Sequence, residues 1–97
     1  MKRSLILSET LDELIRPLPP LLKQKIRKSV EEILENPASG KSLIEDLQGS
    51  RSYKVGKLRI IYREQGSSIE LVDIGKRKTI YLKVALEIKK RKGIHHV

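Results

Sequence analysis

A small α+β domain is the fold this sequence predicts, and three observations carry that reading. Between residues 22 and 34 the apolar side chains Leu22, Ile26, Val30, Ile33 and Leu34 recur at helical spacing, with charged residues around the remainder. After residue 50 the pattern changes to Tyr53-Lys54-Val55-Gly56-Lys57-Leu58-Arg59-Ile60-Ile61-Tyr62-Arg63, which reads as two strands joined at Gly56-Lys57. A further apolar run, Ile69 to Ile74, follows the turn residues Gln65-Gly66-Ser67-Ser68. Helices first and strands afterwards make an α+β domain, its antiparallel meander covered on one face by the helices.

Taken in order, Ser4 to Ser8 is short and apolar enough for a first strand. Thr10-Leu11-Asp12-Glu13 has the form of a capping box, in which Thr10 and Glu13 satisfy free amides at a helix start. Leu11, Leu14, Ile15 and Leu18 give that helix its apolar face, and Pro17 limits its length. Pro19-Pro20 opens the second helix, because proline is tolerated in a first turn, and Asn36-Pro37 stops it. Cations precede acids along this helix, against its dipole, so packing must supply most of its stability. Ala38 to Ser50 is expected as a loop with one helical turn, pinned by Leu43, Ile44 and Leu47. Thr79 to Arg91 closes the domain as a helix with Tyr81, Val84, Ala85 and Ile88 on one face, and 93–97 form a tail. Residues 1–97 thus make one domain, strand–helix–helix–three-strand meander–helix.

Glycine at the first position of a two-residue loop suits a type II′ turn. That loop sets Val55 opposite Leu58, Lys54 opposite Arg59 and Tyr53 opposite Ile60. Val55, Leu58, Tyr53, Ile60 and Tyr62 then form an apolar side, while Lys54, Arg59 and Arg63 point the other way. Two cations directly across a hairpin repel each other. An anionic partner explains the pair better than the fold does. Centring the second turn pairs Arg63 with Glu70, Tyr62 with Leu71, Ile61 with Val72 and Arg59 with Ile74. That register leaves Asp73 on the helix-facing side, so either it sits near the sheet's end or the register is shifted.

The formal charge of +9 is one-sided. Residues 1–50 hold 8 Lys/Arg against 8 Asp/Glu, whereas residues 51–97 hold 13 against 4. A basic field concentrated on the strand half points to a polyanion, with a membrane surface as the weaker option. With no cysteine, disulfides and thiolate metal sites are excluded. Glu31 and Glu32 lack a His or Asp at metal spacing, so neither a metal nor a cofactor is expected. The N-terminal apolar run, Leu5-Ile6-Leu7, is too short for a secretion signal, and no segment approaches a membrane span. A cytoplasmic location is the expectation.

Two motifs carry a family resemblance: the hairpin from Tyr53 to Tyr62, ending in Arg59-Ile60-Ile61-Tyr62, and Ile74-Gly75-Lys76-Arg77-Lys78-Thr79-Ile80-Tyr81. The chain resembles the RelE/ParE superfamily of type II toxins in both, and its element order fits over nearly the whole length. The resemblance implies one of two activities. RelE-like members cut messenger RNA in the ribosomal decoding site, and ParE-like members act on DNA gyrase without nuclease residues. Carried over by motif position, Arg59 and Arg77 match phosphate-binding arginines, Tyr81 a C-terminal tyrosine, and Lys54 a basic hairpin residue. The other cations in or beside the two motifs, Lys57, Arg63, Lys76 and Lys78, are the expected RNA contacts. A toxin of either branch needs restraint, so the resemblance also implies a cognate antitoxin and larger toxin–antitoxin complexes. The antitoxin is expected on the Lys54/Arg59/Arg77 face or in place of the last helix. In the RelE-like reading the remaining partners are the ribosome and mRNA.

The favoured chemistry needs no metal. An RNA 2′-hydroxyl attacks the adjacent phosphate while the protein removes a proton, stabilises the phosphorane and protonates the leaving 5′-oxygen. Arginine suits the middle task, because its fork grips two phosphate oxygens. A lysine crowded by other cations gives up its proton more readily, which makes Lys54 the candidate base. Tyr81 could stack on an unpaired base or hold a phosphate, or simply pack on the sheet. His95 and His96 could supply an acid if the tail folds back, and otherwise belong to a mobile end. Two further readings stay open: a gyrase inhibitor without catalysis, and a nucleic-acid-binding relative without toxicity.

Overall fold

In the computed structural model, which describes residues 3–43, 47–76 and 86, β1 (Ser4–Leu7) runs directly into α1 (Glu9–Ile15). The helix begins earlier than the Thr10 capping box suggested. Ser8 is extended (φ −69°, ψ 153°) and its hydroxyl accepts from the Leu11 amide at 3.1 Å, making it the N-cap. Serine follows the strand immediately and is at least as good a cap as threonine, so Thr10 falls inside the first turn. Leu11 is buried and Ile15 and Leu18 are packed behind it, whereas Leu14 is 49% exposed and outside the apolar face.

α2 (Pro20–Glu35) starts with proline in its first turn and ends at Asn36, as its punctuation predicts. Ile26, Val30 and Ile33 from this helix and Leu11 from α1 meet Val55, Ile60, Tyr62, Ile69 and Leu71 of the sheet. This is the main core.

The sheet has five strands in the order β1-β5-β4-β3-β2. β2 (Lys41–Ser42) pairs antiparallel with β3 (Arg51–Val55), β3 with β4 (Leu58–Gln65), and β4 with β5 (Ser68–Lys76). β1 lies parallel to β5 at the far edge. The expected loop from 38 to 50 therefore contains an edge strand, too short for any alternation to reveal, preceded by a 3-10 turn over Pro37–Ser39. Leu43 and Leu47 from this stretch, with Val72, pack on Ile61, on the face away from the helices. Ile44 and the expected last helix lie outside the described residues, apart from Leu86, which is exposed.

Both hairpin loops carry glycine at a positive φ, 59° at Gly56 and 60° at Gly66, a conformation most other residues avoid. The β3–β4 register agrees with the sequence pattern, including Lys54 opposite Arg59. The β4–β5 register agrees near the turn, with Arg63 opposite Glu70 and Tyr62 opposite Leu71, and then shifts. Ile61 faces Asp73 instead of Val72, and Arg59 faces Gly75 instead of Ile74. Val72 is the extra residue of a β-bulge, and it turns Asp73 off the helix-covered face.

Candidate functional site

The hairpin end of the sheet brings Lys54, Arg59 and Gly75 into one row across β3, β4 and β5. Opposed Cβ atoms of such a pair stand about 4.5–5.5 Å apart. Lys54 is exposed and Arg59 half-buried. The Arg59 guanidinium donates to the carbonyl of Leu58 at 3.3 Å. Among the described residues, no carboxylate pairs with either cation.

Arg63 differs, although it lies on the same face. Its Nε donates to Glu70 Oε1 at 2.9 Å, and Gln65 Nε2 donates to the same oxygen at 2.7 Å. Arg63 is thus held by an internal partner at the opposite end of the strand from Lys54. Among the described residues, one cation is paired with a carboxylate and two others confront each other. Replacing Lys54 by glutamate should convert the repulsion into attraction and raise stability by roughly 0.2–1 kcal/mol. Urea unfolding checks that gain, and the same variant should lose affinity for single-stranded nucleic acid.

The remaining predicted contacts are dispersed. Lys57 is exposed at the second loop position, next to the cation pair in sequence. Lys76 pairs with Leu58, so its register position belongs to the helix-covered side rather than to the Arg59 side. Arg77, Lys78 and Tyr81 lie outside the described residues.

Two tyrosines fasten the hairpin to its support. Tyr62 is fully buried; its hydroxyl donates to the Pro37 carbonyl at 2.6 Å and accepts from the Gly40 amide at 2.9 Å. Arg51 adds a bond from Nη1 to the Gly40 carbonyl at 2.9 Å. Tyr53, partly buried, donates to Glu32 Oε2 on α2 at 2.6 Å. Donation to the Glu32 carboxylate, together with burial, pushes the Tyr53 phenol up. Burial pushes the Tyr62 phenol up as well, with the Gly40 amide pulling the other way. A phenol raised in the fold keeps its proton when the unfolded chain has lost it, so its stabilisation is present below pH about 10 and lost above. Stability should therefore fall as pH rises past about 10, and less steeply in Tyr62→Phe, as denaturant midpoints against pH would show.

Sequence reasoning missed Gly40 and Arg51, whose roles depend on contacts 22 and 11 residues away. It also misplaced Asp73. The signal for that error was in the sequence, since an unbulged strand put a carboxylate among apolar side chains.

Comparison with known proteins places this arrangement in a family. Residues 7–81 match the family described as the ParE toxin of the type II toxin–antitoxin system parDE, and the chain belongs to that family. It is thus a member of the RelE/ParE superfamily of type II toxins. Among solved structures, a double mutant of Escherichia coli RelE in the free state is similar at TM-score 0.72 and 17% identity, over 90% of this chain and 97% of that one. The toxin–antitoxin complex RelBE2 from Mycobacterium tuberculosis matches at TM-score 0.69 and 20% identity, over 79% and 100%. The YoeB/ParE toxin from Agrobacterium tumefaciens matches at 0.66 and 18%, over 76% and 98%. At these identities the likeness is one of fold. No curated protein sequence matches the chain.

Proposed function

We propose that this toxin is a ribosome-dependent endoribonuclease that cuts mRNA. The observation that carries the reading is the opposed Lys54–Arg59 pair, which no carboxylate among the described residues neutralises, on the same face as an Arg63 that Glu70 does neutralise. In this reading Arg59 holds the scissile phosphate and stabilises the added phosphorane charge. Neutral Lys54 takes the 2′-hydroxyl proton, the 2′-oxygen bonds to phosphorus, and the bond to the 5′-oxygen breaks as that oxygen takes a proton from solvent water. The products are a 2′,3′-cyclic phosphate and a 5′-hydroxyl. Arg77 is proposed as a second phosphate ligand and Tyr81 as a base-stacking residue, with Lys57, Arg63, Lys76 and Lys78 as outer RNA contacts. Arg63 must leave Glu70 to serve.

The match to a ParE family favours a second reading, a gyrase inhibitor without catalysis. Incubating the purified chain with gyrase separates the two. Undiminished supercoiling supports the nuclease, and inhibition without RNA cleavage supports the alternative.

A cognate antitoxin completes the proposal, since structures similar to this chain include toxin–antitoxin complexes. An acidic segment fits the cation face by charge. A groove of about 320 Å³ between β1 and α2, lined by Leu5, Leu7, Ile26 and Val30 with Lys23 and Arg27 among its lining residues, offers such a chain an apolar seat. Hydrogen exchange on the complex with the neighbouring gene product tests the surface. Protection at the hairpin supports the cation face, and protection confined to residues 20–35 contradicts it.

A further inference from the structure

We propose that β1 is a self-pairing edge, through which two copies of this chain join their sheets in solution. The proposal does not depend on which target the toxin attacks. Its starting point is a difference between the two ends of the sheet. β2, at one end, is two residues long and carries Lys41, and a short, charged edge resists pairing with other chains. β1, at the other end, is Ser4-Leu5-Ile6-Leu7, without a charge, a proline or a bulge, and its apolar side chains are 38% to 42% exposed. An edge left in that state is a template for another strand.

Hydrogen-bonding parity decides which groups β1 offers. The Ser4 amide donates to the Ser67 carbonyl at 3.3 Å, so Ser4 and Ile6 turn their backbone groups towards β5, and Leu5 and Leu7 turn theirs outwards. Arg3, next in the outward set, already donates its amide to the Leu34 carbonyl, which confines the free stretch to Leu5 through Leu7. A twofold axis through Ile6 satisfies that stretch with a second copy. Leu5 then exchanges both backbone bonds with Leu7 of the second copy, and the symmetry repeats the exchange. Ile6 meets its own counterpart at the closer, non-bonded position. Leucine meets leucine at the mouth of the apolar groove, and Ser4 meets Ser8 of the second copy. One step further out, Arg3 faces Glu9, an exposed acid in the first turn of α1. Centring the axis on Leu5 instead would set Arg3 against Leu7 and leave its charge unanswered. The sequence around β1 is thus complementary to itself in bonding, apolarity and charge, as an isologous contact requires. The axis passes through the sheet, so both hairpin cation rows fall on one side of the joined sheet.

Sedimentation velocity of the full chain alone, over a wide concentration range, tests the pairing. A ladder this short buries less than the roughly 1,200 Å² of a stable interface, so the parent should dimerise weakly, with Kd on the order of 10–100 μM. Ile6→Lys sets two lysines against each other across the axis and should raise Kd by about tenfold or more. Arg3→Glu and Glu9→Arg each set like charges face to face and should each raise Kd roughly three- to tenfold on their own. An equimolar mixture of those two variants should regain the parental affinity, because every pair across the axis is then of opposite sign. Circular dichroism checks that each variant is folded, and if Ile6→Lys is not, the mixture decides. A parent that stays monomeric throughout overturns the proposal. So does a dimer that folded Ile6→Lys leaves unchanged, or a mixture no tighter than its components. Leu5 and Leu7 amides that gain hydrogen-exchange protection only when the neighbouring gene product binds would give the edge to that partner, and overturn it too.

Discussion

Arg59→Ala should abolish growth arrest on expression while the protein stays folded. Removing a single donor that acts on a developing phosphorane costs about 10²–10³ in rate. A toxin slowed that far cannot outpace the synthesis of new message. Folding should be spared, because Arg59 lies outside the main core and its side chain, among the described residues, bonds the neighbouring Leu58 carbonyl alone. Losing it also removes the repulsion from Lys54, so the denaturant midpoint should hold steady or rise slightly. Growth curves of cells expressing the parent and the variant, with circular dichroism of both proteins, check the two halves together.

The largest expected effect on stability falls far from the cations, at Gly40. A methyl group there would meet the buried Tyr62 ring at 2.8 Å from Cε1 and 2.9 Å from Cζ. The ring cannot retreat, because it is fully buried and its hydroxyl is bonded to both Gly40 and Pro37. Overpacking of this kind costs about 1–3 kcal/mol, and straining a buried hydrogen bond about 1 more. At roughly 3 kcal/mol in all, Gly40→Ala should lower the melting temperature by on the order of 15 °C for a domain of this size. Combining it with Tyr62→Phe should cost less than the sum of the two, because the second change removes the atom nearest the new methyl. Thermal unfolding of the single and double variants reads this directly.

These two sites differ in how visible they are in the sequence. The Lys54–Arg59 opposition follows from local chemistry alone: a glycine that permits positive φ, a two-residue loop and strict alternation on either side. Nothing beyond eleven residues is needed. The Gly40–Tyr62 contact joins residues 22 apart and depends on how the chain turns after α2, which no periodicity encodes. The same distinction explains β5. Its register is right next to the turn, where Gly66 sets it, and wrong past Val72, where tertiary packing makes room for an extra residue. Both Val72 and Ile74 are β-formers, so local preference could not choose between the straight and bulged strands. β1 was legible as a strand, but its parallel pairing with β5 was not, because four residues carry no information about their neighbour. Of the site, then, the hairpin row was visible, and the bulge beside it came only with the structure.

The central claim is that the opposed cations of the hairpin cut RNA. Primer extension on translated messages, after brief expression of the parent and of Arg59→Ala, tests it most directly. The account predicts new 5′ ends inside codons in the parent and none in the variant. Growth arrest by the parent with its messages intact would contradict it.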